Sequence, residues 1–313
     1  MTNSTTAMQE NEKLLNDELL LAGTDPEMAR RLEAHRITRD MDLPEMEFLL
    51  RLFGKPILPR GELVAFTGKA KTGKTFILSI IMACCARQEV LAFRRPSANP
   101  IHVLWIDTEQ SIQSTKEILT DRIVPLVDME EFPDSLYDII NIRLESWEER
   151  LKLVLGAIGW YRPDLVILDG IADEVANVND PVESKMAVEK LLKAATIGKC
   201  CIACVIHENK SSIDSSLRGW LGTVLTDKAF EVYSTFKDAN GVFSLEQRLT
   251  RKHDIADKLY FTVDEHGLPQ QVGEPKKDFK KKSKQKTKNE EKKDEPESKP
   301  VAGQETSIDF SGE

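Results

Sequence analysis

The sequence predicts an α/β protein: a mainly parallel sheet with helices on both faces and an antiparallel extension at its C-terminal side. Short, nearly continuous apolar runs at 63–67, 101–106, 165–169 and 201–206 alternate with helix-permissive stretches at 76–87, 112–123, 147–160 and 182–197. That alternation is the pattern of strands buried on both faces and joined by crossover helices. Later segments at 229–236, 241–250 and 258–263 alternate polar and apolar residues more strongly, and Asp238-Ala-Asn240-Gly241 is a hairpin signal.

Each part of the chain has a local reason. The first run, Leu63-Val-Ala-Phe66, meets the apolar stretch 76–87 through a glycine-bounded turn. Asp180-Pro181 supplies an N-cap and a proline at the first helical position for the helix over 182–197. Ahead of this core, residues 1–10 are polar and expected to be disordered. Leu14, Leu15, Leu19, Leu20 and Leu21, then Met46, Leu49, Leu50 and Leu52, suggest short helices within a segment ending near residue 53. They would pack on the core or dock on a neighbouring subunit. The core domain is expected over 54–269. From Glu274 onward apolar residues nearly vanish, so 270–313 reads as a disordered charged tail. Its 276–288 stretch is basic and its end acidic. Weak nucleic-acid contact, or a protein partner held through Ile308-Asp309-Phe310, is the alternative to a tail without a partner.

With 313 residues, 41% of them hydrophobic, the chain can bury one α/β core and carry appendages. A net charge of −9 argues against a protein that coats nucleic acid, so any such contact must be local. Cys84, Cys85, Cys200, Cys201 and Cys204 have apolar neighbours. One strand cannot aim Cys200, Cys201, Cys204 and His207 at a common metal, so buried free thiols in a reducing cytosol are expected. No apolar run approaches 18 residues and no signal peptide is seen, so a soluble cytoplasmic protein without membrane contact is the expectation.

The chemistry concentrates at Gly68-Lys69-Ala70-Lys71-Thr72-Gly73-Lys74-Thr75, a complete G-x-x-x-x-G-K-[ST] loop between a strand and a helix. Such a turn offers backbone N–H groups at a helix N-terminus, where partial positive charge gathers a polyphosphate. Lys74 would reach the β- and γ-phosphates, and the Thr75 hydroxyl would sit on Mg²⁺. Leu165-Val-Ile-Leu-Asp169 is the expected companion, with Asp169 beside the metal at a strand's carboxyl end. Asp107 and Glu109 end another strand at the same edge. One of them, Glu109 first, would activate the attacking water; the alternative is that both cap the next helix. His207 ends a fourth strand, where a polar side chain could sense the γ-phosphate. The loop 211–223, with Lys210, Arg218 and Trp220, has the charge and aromatic face of a single-strand contact, or is an ordinary surface loop.

The order of residues 68–75, Asp107-Thr-Glu109, Leu165-Val-Ile-Leu-Asp169, Asn179-Asp180 and His207-x-x-Lys210 resembles the RecA-like ATPases over about residues 56–269. Within them it is most similar to the RepA-type hexameric replicative helicases of plasmids and mobile elements. The resemblance implies ATP and Mg²⁺, with Lys74 and Thr75 on phosphate and metal, Asp169 on metal, Glu109 activating water and His207 sensing the γ-phosphate. It also implies a Lys-x-Arg pair near the last hairpin that acts on ATP held by the adjacent subunit. Here Arg248-Leu-Thr-Arg251-Lys252 corresponds without a clean alignment, and Arg251 is the expected trans-acting finger, Lys252 the next choice. Lys69 and Lys71 stand where small residues are usual and are expected to face solvent. The implied function is a homo-hexameric or other ring that unwinds or translocates single-stranded DNA. An ATP-controlled loader or recombination accessory without unwinding is the competitor. A small-molecule phosphotransferase would need an acceptor pocket and an arginine-bearing lid that the sequence does not offer.

Overall fold

The computed structural model describes residues 2–208 and 217–275, in two compact units, 1–47 and 48 onward. The first unit holds α1 (Thr2–Thr24) and α2 (Pro26–Ala34). Asp25 caps α2 by accepting from the Glu27 amide at 2.9 Å, with Pro26 in the first turn. Residues 2–10, expected to be disordered, are instead the first turns of α1, and its leucines 14, 15, 19, 20 and 21 are exposed. A polar composition does not forbid a helix where Thr and Ser give way to Met, Glu and Gln.

The second unit runs β1 (Phe48–Leu52), β2 (Lys55–Pro59), β3 (Leu63–Gly68), α3 (Lys74–Ala86), β4 (Glu89–Val90), β5 (Phe93–Arg94), β6 (Val103–Asp107), α4 (Ile112–Ile118) and α5 (Val124–Val127). It continues with β7 (Tyr137–Asn141), α6 (Trp147–Tyr161), β8 (Leu165–Asp169), α7 (Pro181–Gly198), β9 (Cys201–His207) and α8 (Gly219–Lys228). The last elements are β10 (Glu231–Lys237), β11 (Phe243–Thr250), β12 (Leu259–Val263) and β13 (Pro269–Val272).

Leu49, Leu50 and Leu52, expected in a helix, lie in β1. The reason is the two-residue turn Phe53-Gly54, both at positive φ (49° and 78°), which pairs Leu52 with Lys55 in a tight hairpin. β1 and β2 join β5 and β4 in a small sheet of order β2-β1-β5-β4.

The large sheet has the order β13-β12-β11-β10-β3-β9-β8-β6-β7. Every neighbouring pair from β10 to β7 is parallel, and β10 to β13 are joined antiparallel. β9 is inserted between the loop-bearing β3 and the acid-bearing β8, which is the RecA-like P-loop arrangement with its antiparallel extension. Alternation along β3 feeds two cores. Val64 and Phe66 pack with α3, while Leu63 and Ala65 pack with α6, α7 and α8. The sheet continues to Val272, three residues past the expected boundary, while the tail from 276, including Ile308-Asp309-Phe310, lies outside the described residues. All five cysteines are buried and free, and no helix among the described residues is long and apolar enough to cross a membrane.

Parallel register lines up the strand ends that matter. Gly68 pairs with His207, and Asp107 with Asp169, so four sequence-distant positions share one edge.

Candidate active site

The phosphate loop is shaped by two glycines and braced from β10. Gly68 has φ 150° and Gly73 φ 97°. A Cβ on Gly68 would strike Thr235 Oγ1 and lie 2.6 Å from Thr72 Oγ1, and one on Gly73 would lie 2.6 Å from Phe243 Cδ1. Thr72 Oγ1 donates to the Lys69 carbonyl at 2.8 Å and shares a 2.8 Å hydrogen bond with Thr235 Oγ1. Lys69, Ala70 and Lys71 are exposed, as expected of the two extra lysines. Gly73 caps α3 without any side-chain hydrogen bond, which leaves the helix's first N–H groups facing the cleft.

Lys74 is only 8% exposed and folds back under this loop. Its Nζ donates to the carbonyls of Gly68 and Lys69, both at 3.0 Å, and to Nδ1 of His207 at 3.1 Å. An ammonium can only donate, so Nδ1 accepts and Nε2 carries the ring proton. That Nε2 lies 3.5 Å from Glu109 Oε1. The hydrogen bond from His207 holds the Glu109 carboxyl below its usual range, against burial and with help from the charge on Lys74. Burial draws the Lys74 pKa down, while Glu109, Asp169 and Glu208 oppose it.

Between the two acids after β6, the structure makes a clear choice. Asp107 is wholly buried and fully used. Its Oδ1 accepts from the amides of Glu109 (3.1 Å) and Gln110 (3.0 Å), and its Oδ2 from Thr115 Oγ1 (2.6 Å) and Gln110 Nε2 (3.2 Å). Asp107 therefore turns the chain so that Glu109 lines the cleft. Thr108 fastens this turn to β8, its single hydroxyl donor within reach of Asp173 Oδ2 (2.8 Å) and the carbonyls of Asp169 (3.0 Å) and Gly170 (3.2 Å).

Asp169 is 4% exposed, and its carboxylate has no hydrogen bond or ion pair among the described residues. Burial first, then the charges of Asp107 and Glu109, push its pKa up to about 7, with Lys74 opposing. An orphaned carboxylate sharing a cleft with the Thr75 hydroxyl suits a hard divalent cation such as Mg²⁺. No three His, Cys, Asp or Glu side chains among the described residues could hold a metal by themselves. Thr75 and Asp169 would therefore leave most of such an ion's shell to phosphate oxygens and water.

The cleft has a volume of about 590 Å³. Lys71, Lys74, Thr75, Glu109, Asp169 and His207 line it together with Phe76, Ile118, Arg122, Lys237 and Phe243. Ile118, Arg122, Lys237 and Phe243, with Thr108, Gln110 and Thr235, carry no motif and were not anticipated.

Other expected residues lie elsewhere. Arg218 and Trp220 stand at the start of α8, where a loop was expected; Trp220 is 53% exposed, and the Arg218 amide donates to the His207 carbonyl at 3.1 Å. Lys210 lies outside the described residues. Glu208, next to His207, is buried and accepts from Ser234 Oγ at 3.4 Å. Arg251 caps the end of α8, donating to the carbonyls of Asp227 (2.9 Å) and Ala229 (3.3 Å). Thr250 pairs with Glu231, which pairs with Val64, so Arg251 sits at the opposite end of the sheet from this chain's own loop.

A sequence-family profile described as an AAA domain matches residues 50–212, just over half of the chain. No curated protein sequence matches it. Among solved structures, the KaiC-like protein PH0186 of Pyrococcus horikoshii OT3, a hyperthermophilic archaeon, aligns at 13% identity. The alignment covers 70% of this chain and 92% of that one, with a TM-score of 0.49. The profile match spans the phosphate loop together with Glu109, Asp169 and His207, so the chain belongs to the AAA domain family.

Proposed function

We propose that the protein hydrolyses ATP with Mg²⁺, with Glu109 as the group that aligns and deprotonates the attacking water. The supporting observation is the chain Lys74–His207–Glu109, with steps of 3.1 and 3.5 Å. The loop amides and Lys74 hold the β- and γ-phosphates, Lys74 exchanging its loop carbonyls for phosphate oxygens. A bound Mg²⁺ would neutralise phosphate charge from a position shared by Thr75 and Asp169. Asp169 ionises fully beside a dication. Glu109, kept ionised by His207, accepts the water's proton. When Lys74 turns to phosphate, His207 Nδ1 loses a donor, and the ring's grip on Glu109 changes with it.

We further infer that this cycle drives a ring-shaped helicase or translocase on single-stranded DNA, with Arg251 acting in trans across a subunit boundary. Glu208 is bridged to Leu217, and the Arg218 amide donates to the His207 carbonyl. Nucleotide engagement at Lys74 thus has a short path to Arg218 and the α8 start that carries Trp220, which with Lys210 are the residues proposed to meet DNA. The test is phosphate release with and without single-stranded DNA, for wild type and Lys74→Ala, alongside a strand-displacement assay. Stimulation by DNA with strand displacement, both lost in Lys74→Ala, is expected. A rate indifferent to DNA removes the motor reading, and ATP-dependent assembly on DNA without displacement makes the protein a loader.

A further inference from the structure

A groove between α6 and α7 takes no part in the nucleotide chemistry. It has a volume of about 520 Å³, and Leu155, Ile158, Ala194 and Ile197 give it an apolar lining. α6 ends just before β8 and α7 just before β9, so the groove lies at the sheet edge opposite His207 and the phosphate loop.

Two observations mark the groove as a receptor. Gly159 stands inside α6, where glycine is destabilising relative to alanine, and a Cβ there would meet nothing within 4 Å. Packing within the chain therefore does not require this glycine, and its missing side chain leaves the groove open. The second observation is the charge on the rim. Arg162, Lys190 and Lys193 are exposed, and their side chains make no hydrogen bond or ion pair among the described residues. Glu189, beside Lys190 in sequence, faces Lys185 at 3.9 Å instead. Ile197, on the same wall as the lysines, leaves 72% of its surface in water.

An apolar trench rimmed by three free cations suits an extended acidic peptide that carries apolar side chains. This chain contains one. From Pro300 to Glu313 there is no Lys or Arg, and the stretch holds Glu305, Asp309 and Glu313 together with Ile308 and Phe310. Between 276 and 299 lysines outnumber acids, so that stretch would be repelled from the same rim. In an extended segment alternate side chains share a side, so Ile308 and Phe310 can enter a trench together while Asp309 turns to its rim. The stretch 276–303 can span on the order of 90 Å, several times the ~17 Å radius of gyration expected of a compact unit of this size. The groove is therefore within its reach.

We propose that the groove between α6 and α7 binds segment 304–313 of this same chain, with Ile308 and Phe310 inside it and the acids against Arg162, Lys190 and Lys193. The test adds a fluorescently labelled peptide of residues 300–313 to the full chain and follows its anisotropy. In wild type the chain's own segment competes at an effective concentration on the order of millimolar. In Ile308→Ala/Phe310→Ala the groove is free, so this variant should bind the peptide about 10-fold or more tighter than wild type. Adding Lys190→Glu and Lys193→Glu, surface changes that leave folding intact, should abolish that binding. Adding Lys55→Glu and Lys116→Glu instead, which shifts net charge equally at exposed sites away from the groove, should leave it unchanged. Equal or tighter binding by wild type overturns the proposal, because the chain's own segment then does not occupy the groove. Absence of binding to Ile308→Ala/Phe310→Ala overturns it as well. So does binding that survives the Lys190 and Lys193 reversals, or that falls equally with Lys55 and Lys116, since the peptide then meets another site or net charge alone.

Discussion

Lys74 and His207 meet at 3.1 Å, Nζ to Nδ1, where the loop after β3 touches the tip of β9. The contact makes the imidazole a link between Lys74 and Glu109, 3.5 Å from its other nitrogen. A phosphate that recruits Lys74 must therefore alter the environment of Glu109.

Removing that link should appear in the pH profile. The hydrogen bond from His207 is the first cause of the depressed Glu109 pKa. Activity needs the ionised carboxylate, so it is present above that pKa and lost as pH falls through it. In His207→Ala the carboxyl rises toward its ordinary value, and the acidic limb of kcat moves to higher pH. The plateau should fall about 10- to 100-fold, at the lower end of positioned acid–base effects. Steady-state rates followed from neutral pH down through the ordinary glutamate value of 4.5 check this, and an unmoved limb contradicts the link.

Asp107 should behave as a structural residue. Asp107→Ala strips partners from the amides of Glu109 and Gln110 and from Thr115 Oγ1. A loss of about 2–4 kcal/mol in denaturant unfolding is expected from these orphaned donors. Asp107→Asn, which keeps an acceptor, should lose less.

A buried carboxyl away from the nucleotide gives a stability test. Glu174, in the short 3₁₀ turn Ile171–Glu174, has both side-chain oxygens buried without hydrogen bonds, and burial raises its pKa to about 8. The folded form holds its proton where the unfolded form has lost it. Its contribution is therefore complete below about pH 4.5, declines as pH rises and is gone above about pH 8. Glu174→Gln cannot titrate. Its melting temperature should gain on wild type between pH 5 and 8.5, by the equivalent of about 1–3 kcal/mol. A constant gap contradicts the burial argument.

Gly170 tests the join between the acidic tips. It has φ 118°, and an added Cβ would collide with Thr108 Oγ1 and lie 3.0 Å from Glu109 Cγ. Gly170→Ala should lower stability by about 1–3 kcal/mol, the cost of a strained backbone position. It should slow hydrolysis as well, because it pushes on Glu109. Unfolding curves and rates measured on the same sample separate the two effects.

That the phosphate loop, Glu109, Asp169 and His207 share one cleft was legible because the parts are local: a loop between strand and helix, and polar residues closing apolar runs. What escaped depends on distant chain. Thr235 and Phe243 shape the phosphate loop from β10 and β11, and nothing in their own neighbourhood announces it. Arg122 lines the cleft from a π turn, Leu119–Ile123, and lies over the Phe76 ring. The start of α8 lies within the expected loop 211–223, and Gly219, Gly222 and Thr223 are poor helix formers, yet Leu221 and Leu225 are fully buried and tertiary packing overrides propensity. The β1–β2 hairpin was hidden by leucines whose spacing also fits a helix, with only Phe53-Gly54 to say otherwise.

Glu109→Gln tests the central claim most directly, with ATP binding and phosphate release measured on one preparation. The account predicts binding within about threefold of wild type and release slower by a factor on the order of 100 or more. Turnover at the wild-type rate would contradict it.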